Sequence, residues 1–568
     1  MKTFESLIKD ALPAGSDRRN RRWIYVPYDR YTDRVGPVAE QPAADTVLVI
    51  VESTAKAHRR PYHKKKLALL IANMRHFALE QAERGCSVLY HWSPHSHGQA
   101  LLELQERQKL PALTFMRPAE RELRLDLAAA AQTGLQLEEV PDTTWLSTTE
   151  DFLAVYGPQQ PQRHYVMDRF YRRMRQQTGL LMDGAKPMGG RFSFDVENRR
   201  PFRREIPVPI PPVFAPDRIT EEVLAFVEKE YGHHFGMLDG FDLPVTQQDC
   251  DRVWQFALRH LLPMFGPFED AMRDDEPYLF HSRISALVNL GRLLPGDLVR
   301  DVAREYQDGR IPLASAEGFI RQLLGWREFM RHLHEQTDGY RRLALQESSK
   351  PSDAARPKPA EDAYAGATPS ALDAHRKLPA VYWGVPSGLH CVDTVVAQVI
   401  REGWSHHITR LMVLSNLATL CGVSPRELTD WFWFAYVDAY DWVVEPNVLG
   451  MATYADGGMT ATKPYVSGAA YIHRMSNYCE HCVYDPKSST GEKSCPFTAL
   501  YWTFLARNEK ALSGNARMRM PLMALRKKPR AELDRLAERA EAAIAHLESF
   551  PRPHYEETKR ALREGASA

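Results

Sequence analysis

Three thiols lie within a short stretch, as Cys479-x2-Cys482-x12-Cys495-Pro496. Thiolates two residues apart reach one metal centre from a single turn, and a third further on fills another corner of a tetrahedral site. The fourth ligand must come from elsewhere, and Cys391, Cys421 and His481 are the candidates. Iron-sulfur clusters usually take four thiolates, whereas zinc accepts Cys or His, so spacing leaves both open. Seven cysteines spread over 568 residues make a poor disulfide framework, which favours the metal reading.

The second group is Trp404-Ser-His406-His407-Ile-Thr-Arg410 on an apolar, helix-like segment. Adjacent histidines on a helix point about 100° apart, and both need polar partners. Beside Arg410 they suggest a polar pocket with proton-transfer chemistry. Five of the eleven tryptophans, Trp383, Trp404, Trp431, Trp433 and Trp442, lie in the same region, with Tyr440, Tyr454, Tyr465 and Tyr471. Such a density of rings packs a helical core, carries single electrons, or stacks on bases or a flat cofactor.

The elements that must position these residues fall into two halves. Thr46–Val51 is a nearly all-apolar run, as in a buried parallel strand. The run 66–81 follows with apolar residues at helical spacing, then Ser87–Tyr90, a helical stretch near 97–108, and Ala112–Met116. This alternation predicts an α/β domain over 1–150, a doubly wound parallel sheet with no GxGxxG loop. A connector over 151–219 holds six prolines in its last nineteen residues. From 220 the spacing is helical, including 316–334 and 394–420, which predicts an all-α domain over 220–515. Residues 516–568 form a charged helical extension, and 347–377, rich in Pro, Ala, Ser and Lys, reads as a flexible insertion. The net charge is +1, so any nucleic-acid contact must be local. No stretch approaches the 20 or so apolar residues that cross a bilayer, and Met1–Asp29 holds no apolar signal core. A cytoplasmic monomer is expected.

Several blocks give these residues a context: Tyr62-His-Lys-Lys-Lys66, Phe170-Tyr-Arg-Arg-Met174, the run 189–199, Glu317–Glu328, His406–Arg410, Pro446–Met451, Tyr471–Cys482 and Cys495-Pro-Phe497. In these the chain resembles the photolyase/cryptochrome family, specifically its bacterial (6-4) photolyases and iron-sulfur cryptochromes. The resemblance implies an α/β antenna domain, a connector and a helical domain holding FAD. It also implies a [4Fe–4S] cluster on Cys391, Cys479, Cys482 and Cys495, leaving Cys421 and His481 structural. By position it assigns His281, Ser282, Arg283, Ile284 and Ser285 to the flavin phosphates and ribityl chain, and Gln322, Trp326 and Arg327 to a helix lining the flavin. Arg410 matches the arginine at the flavin ring, with Asp438 and Asp441 in the acidic stretch facing flavin and adenine. Trp383, Trp431 and Tyr471, with Tyr440 and Tyr465 nearby, match aromatic positions for electron relay, and His406 and His407 match the histidines that pass a proton to a (6-4) lesion. UV-damaged DNA is the implied partner, with Mg2+ as an aid to binding it and 6,7-dimethyl-8-ribityllumazine as antenna.

The chain departs from the pattern at three places. Tyr28-Asp29-Arg30 stands where relatives have Gly-Asp-Gln beside the antenna, Phe432 follows Trp431 where Tyr is expected, and Val444-Glu445 precedes Pro446. Candidate phosphate contacts are Arg199, Arg200, Arg203, Arg204, Arg517, Arg519, Arg526, Lys527 and Lys528. The expected activity is light-driven repair of (6-4) photoproducts. A blue-light receptor with little repair is the alternative, and an iron-sulfur nucleic-acid protein without flavin is a third reading, disfavoured by the flavin-pocket blocks.

Overall fold

A computed structural model describes residues 3–12, 21–158, 164–342 and 365–552. The first half holds a five-stranded sheet in the order β3-β2-β1-β4-β5, with every pairing parallel. The strands are β1 Arg22–Tyr25, β2 Thr46–Ser53, β3 Ser87–Ser93, β4 Leu113–Met116 and β5 Leu137–Val140. β2 is an interior strand, buried along all but its last residue, which is why it reads as unbroken Val, Leu and Ile over 47–51 rather than as an alternation. Helices Lys64–Glu83, His97–Gln108 and Arg121–Gln132 connect the strands. His63 starts the first of them by accepting the Lys65 N–H on its ring nitrogen at 3.1 Å. The order reverses on either side of β1, and at such a switch point the carboxyl ends of strands leave a crevice.

The connector is more structured than its prolines suggest. Helices Thr149–Tyr156 and Met167–Thr178 bury Phe152, Tyr156, Phe170 and Tyr171 in one core with Phe329 and Leu333 of the helical half. Only the Pro-rich run near 199–217 is extended. Of the expected insertion, 343–364 lies outside the described residues. Residues 365–377 are tied down rather than loose: Ala371 donates its N–H to Ala455 O at 3.0 Å, and Arg376 pairs with Val423. The last described helix, Arg530–Glu548, buries Leu536, Ala540, Ile544 and Leu547.

From residue 218 onward the regular elements among the described residues are helices. Two departures from the helical spacing matter for the site. The run 316–334 passes through a π-helical stretch, Arg321–Arg327, between α-helices Leu313–Ile320 and Glu328–Thr337. A π-helical turn inserts an extra residue and re-aims the side chains that follow, often at a functional site. The run 394–420 is not one helix. His390–Glu402 ends at Gly403 (φ 62°), and helical turns resume only past His406, passing into a second π-helical stretch, Thr409–Ser415. A Cβ on Gly403 would sit 2.7 Å from Val437 Cγ1. The left-handed turn and this close approach both require glycine. The paired histidines therefore lie at a break, where side chains leave the helical register and gather round a cavity.

Candidate functional site

That cavity, of about 310 Å³, lies within the helical half. Its walls include His281, Ser282, Arg283, Ile284, Ser285, Gln322, Trp326, Arg327, His406, His407, Arg410 and Asp438. Residues about 160 positions apart in sequence thus meet as the resemblance expects. Asp441 does not join them. Its Oδ2 accepts the backbone N–H groups of Arg121 (2.7 Å) and Glu122 (3.3 Å), so it faces the first turn of helix Arg121–Gln132 and ties the two halves together.

Asp438 anchors the polar end. Its carboxylate takes two parallel bonds from Arg410, at 3.0 and 2.9 Å, and one from Ser285 Oγ at 2.6 Å. Burial pushes this carboxyl up, but the adjoining Arg410 guanidinium outweighs it and holds the group below its ordinary value. Arg410 also donates Nε–H to Ser405 O at 2.7 Å and lies over the Tyr436 ring at 4.2 Å, which fixes its plane. Arg327 stacks on Trp145 at 3.8 Å, and burial lowers its guanidinium to about 9.

The histidines form a trio rather than a pair. His281 lies against His406 with ring centroids 4.5 Å apart and planes 13° from parallel, and His407 stands 5.5 Å from His281. Burial lowers His281 and His406 well below the ordinary imidazole value, so both are neutral near pH 7. His407 is half-exposed, with Nε2 3.6 Å from Asp270 Oδ1. Sequence reasoning missed that aspartate and its neighbour Glu269, which accepts from Gln322 Nε2 at 2.7 Å and Asn198 Nδ2 at 2.9 Å. Asn198 belongs to the block 189–199 that carried part of the resemblance, and Glu269 had no local signal.

The aromatic residues divide. Trp431 is buried against Tyr382 (5.1 Å), Phe432 (5.2 Å) and Tyr436 (5.9 Å), and Tyr436 reaches the cavity wall through a 2.9 Å bond to Ser405. Trp383 follows Tyr382 and is capped by Arg552 at 4.6 Å. Tyr471 is elsewhere, its hydroxyl 3.5 Å from Asp270 on the His407 side. Tyr440 lines a separate cavity against the sheet with Tyr28, Lys56, Lys66, His97 and Glu120. There Lys56 Nζ donates to Tyr28 Oη at 3.0 Å and pairs with Glu120, and burial lowers its ammonium to about 8.

The fourth thiol is Cys391. Cys391, Cys479, Cys482 and Cys495 line one small apolar cavity with Tyr478 and Phe497. Burial raises the Cys391 thiol first, and the charges of Cys495, Cys479 and Cys482 raise it further. A cation held among the four would favour their thiolate forms. Cys421 is buried apart from this cavity, and His481 pairs with Asp274 at 2.6 Å.

Several of the candidate phosphate ligands are taken. Arg199 pairs with Asp195, Arg204 with Asp275, Arg526 with Glu509 and Lys528 with Glu532. No described helix is long and apolar enough to cross a membrane.

The fold is a parallel-sheet domain joined to a helical domain, with an Arg–Asp anchor in the helical cavity. Residues 24–243 match the family described as deoxyribodipyrimidine photo-lyase-related protein, and 319–487 match the FAD binding domain of DNA photolyase. A (6-4) photolyase of Agrobacterium fabrum is 37% identical over 488 residues, which is 84% of this chain and 90% of that one. The chain belongs to the photolyase/cryptochrome family. Among solved structures, a bacterial class III photolyase from Agrobacterium tumefaciens aligns over 96% of this chain and 99% of its own (TM-score 0.50, 13% identity). A cryptochrome of Synechocystis sp. PCC6803 aligns over 96% and 98% (TM-score 0.53, 14% identity).

Proposed function

We propose that this chain is a light-driven (6-4) photolyase that holds FAD in the helical cavity. The observation that carries the reading is the group of imidazoles at the cavity, because reversing a (6-4) lesion requires a proton as well as an electron. The buried nitrogens without a hydrogen-bond partner on its walls, His406 Nδ1 and Arg327 Nε, fit a large polar ligand with anionic groups. Bound reduced FAD would supply an electron under blue light and take it back.

The chain's own residues do the rest. Arg410, locked by Asp438 and Ser405, holds a fixed positive charge in the cavity wall. His407, with Asp270 facing it, donates and recovers the proton. The lesion is already poorly stacked, so flipping it out costs a few kcal/mol or less. Arg200, Arg203, Arg517, Arg519 and Lys527, in no ion pair among the described residues, are free to meet phosphates in a salt-sensitive way.

Within the same proposal the four thiols hold a [4Fe–4S] cluster, consistent with an all-thiolate donor set in an apolar cavity. Lumazine fits less well. The buried Tyr28 ring, tilted on His97 at 5.1 Å, and the Lys56–Glu120 pair occupy the cavity at the sheet. We therefore read this photolyase as working without that antenna. Mg2+ prefers oxygen ligands, and both clusters of three potential ligands among the described residues contain two or more imidazoles. A Mg2+ ion would accordingly act at DNA phosphates.

The test is to illuminate the reduced holoprotein with DNA carrying a (6-4) lesion and follow the lesion by chromatography. Light-dependent loss of the lesion is expected, and it should disappear in His407→Ala with FAD retained. An unchanged lesion would reject the photolyase reading and favour the blue-light receptor.

A further inference from the structure

The imidazole the resemblance assigned to the flavin, His281, is placed for another task. Its backbone opens the run 281–285, yet its ring turns to the histidines, 4.5 Å from His406 and 5.5 Å from His407. Nε2, buried on a side chain that lines the cavity, has no hydrogen-bond partner among the described residues. A neutral imidazole that carries its proton on Nδ1 keeps a lone pair on Nε2. A buried nitrogen with an unmet lone pair fits a ligand that offers a hydroxyl.

We propose that His281 is a third catalytic histidine, the general base that receives the proton of the lesion's hydroxyl while His407 acts as general acid. The proposal rests on the (6-4) photolyase reading. Its balance closes. His407 gives one proton to the pyrimidone ring. The hydroxyl oxygen moves back to that ring, its bond to the first base breaks, and its own proton passes to His281 Nε2. The bond between the two bases then breaks, and no net proton is gained or lost. Afterwards His281 returns its proton to His407. One ring nitrogen from each of His281, His406 and His407 lies within 4.8 Å of the others, close enough for exchange through one water.

The surroundings separate the acid from the base. His281 is 8% exposed, packed edge-on against Phe265 and near Trp404, and burial together with His407 and Arg410 disfavours its charged form at rest. His407 is the exposed member, with the Asp270 carboxylate beside it. His406, at 3% exposure, lies flat under His281 and sets its plane.

The experiment compares wild type with His281→Asn and His281→Gln in the FAD-loaded protein. Asn is shorter than His and has no group at the Nε2 position. Gln places an amide there that can accept a hydrogen bond but not a proton. Flavin absorbance, affinity for (6-4)-containing DNA, repair per absorbed photon and its solvent deuterium dependence are read in each.

Both variants should keep flavin and lesion affinity within about twofold and lose repair by about 100-fold, the usual scale for a general base. Wild type should show a proton inventory with more than one proton in flight. Repair within a few-fold of wild type in either variant would overturn the proposal. So would a loss of repair that tracks a loss of flavin, which would make His281 a flavin anchor. If wild type itself fails to repair, the photolyase reading falls and this proposal with it, and that outcome is distinct because it is seen before any variant is compared.

Discussion

Asp438 holds Arg410 in a fork of two hydrogen bonds, 3.0 and 2.9 Å long, with Asp438 buried and Arg410 largely so. The pair forms one wall of the helical cavity, and Ser285 joins it from the first turn of helix Ser285–Asn289. Removing one member leaves the other charge buried without its partner, at a cost of about 3–5 kcal/mol. Asp438→Asn should therefore lower the melting temperature and the fraction of protein that retains FAD, both readable from one preparation by calorimetry and flavin absorbance. Unchanged flavin content would show that Arg410 keeps its place without the fork.

Cys391 and Cys421 are both buried cysteines of the helical half, but only Cys391 meets the other three thiols. Iron analysis separates them. If the four thiols hold the proposed cluster, Cys421→Ser should keep the iron content of wild type, and Cys391→Ser should lose it and much of the stability, because such a centre would tie residue 391 to the loop 479–495. Iron retained in Cys391→Ser would return the fourth position to another ligand.

Glu445, fully buried, receives His334 Nε2 at 2.9 Å, Arg426 at 2.9 Å and Arg341 at 3.3 Å. Burial pushes its carboxyl up, yet these partners prevail and bring it down to about 2. A carboxylate depressed in the folded state stabilises above its unfolded value near 4.5, and that contribution fades as pH falls from there through about 2. By linkage it amounts to about 3 kcal/mol at neutral pH. Urea unfolding of wild type and Glu445→Gln from pH 7 to 3 should show wild type losing its advantage below about pH 4.5. A constant gap over that range would contradict the assignment.

Tyr28 donates no bond that a smaller residue could not replace with water, but its ring fills space at the edge of the sheet, on His97 and under Lys56. Purified wild type should not bind 6,7-dimethyl-8-ribityllumazine, and Tyr28→Gly should bind it, seen as quenching of lumazine fluorescence on titration. Tight binding by wild type would mean that the Tyr28 ring and Lys56 move aside.

The sequence by itself determined whatever depends on neighbours along the chain. Apolar runs and helical spacing set the order of strands and helices, and Cys-x2-Cys set a metal loop, because period and local reach are properties of the backbone. The blocks of resemblance named residues that the fold brings to one cavity, among them His281, Gln322, Arg327 and Arg410. Tertiary structure decided the rest. Asp438 and Asp441 are three residues apart and chemically equivalent on paper, but the chain turns between them, so one grips Arg410 and the other meets the first turn of helix Arg121–Gln132. The spacing over 394–420 carries no sign of the break except Gly403, whose left-handed turn and close approach to Val437 leave no room for a side chain. Glu269 and Asp270 had no motif, since their roles come from Gln322 and His407 packed against them. His281 changed most. Its place in the chain pointed to the flavin, and only the stacking of its ring on His406 and the unmet Nε2 turn it toward the lesion. Which long-range pairs form is fixed by packing and by the cost of leaving a buried polar atom unmatched, and neither is written in local spacing.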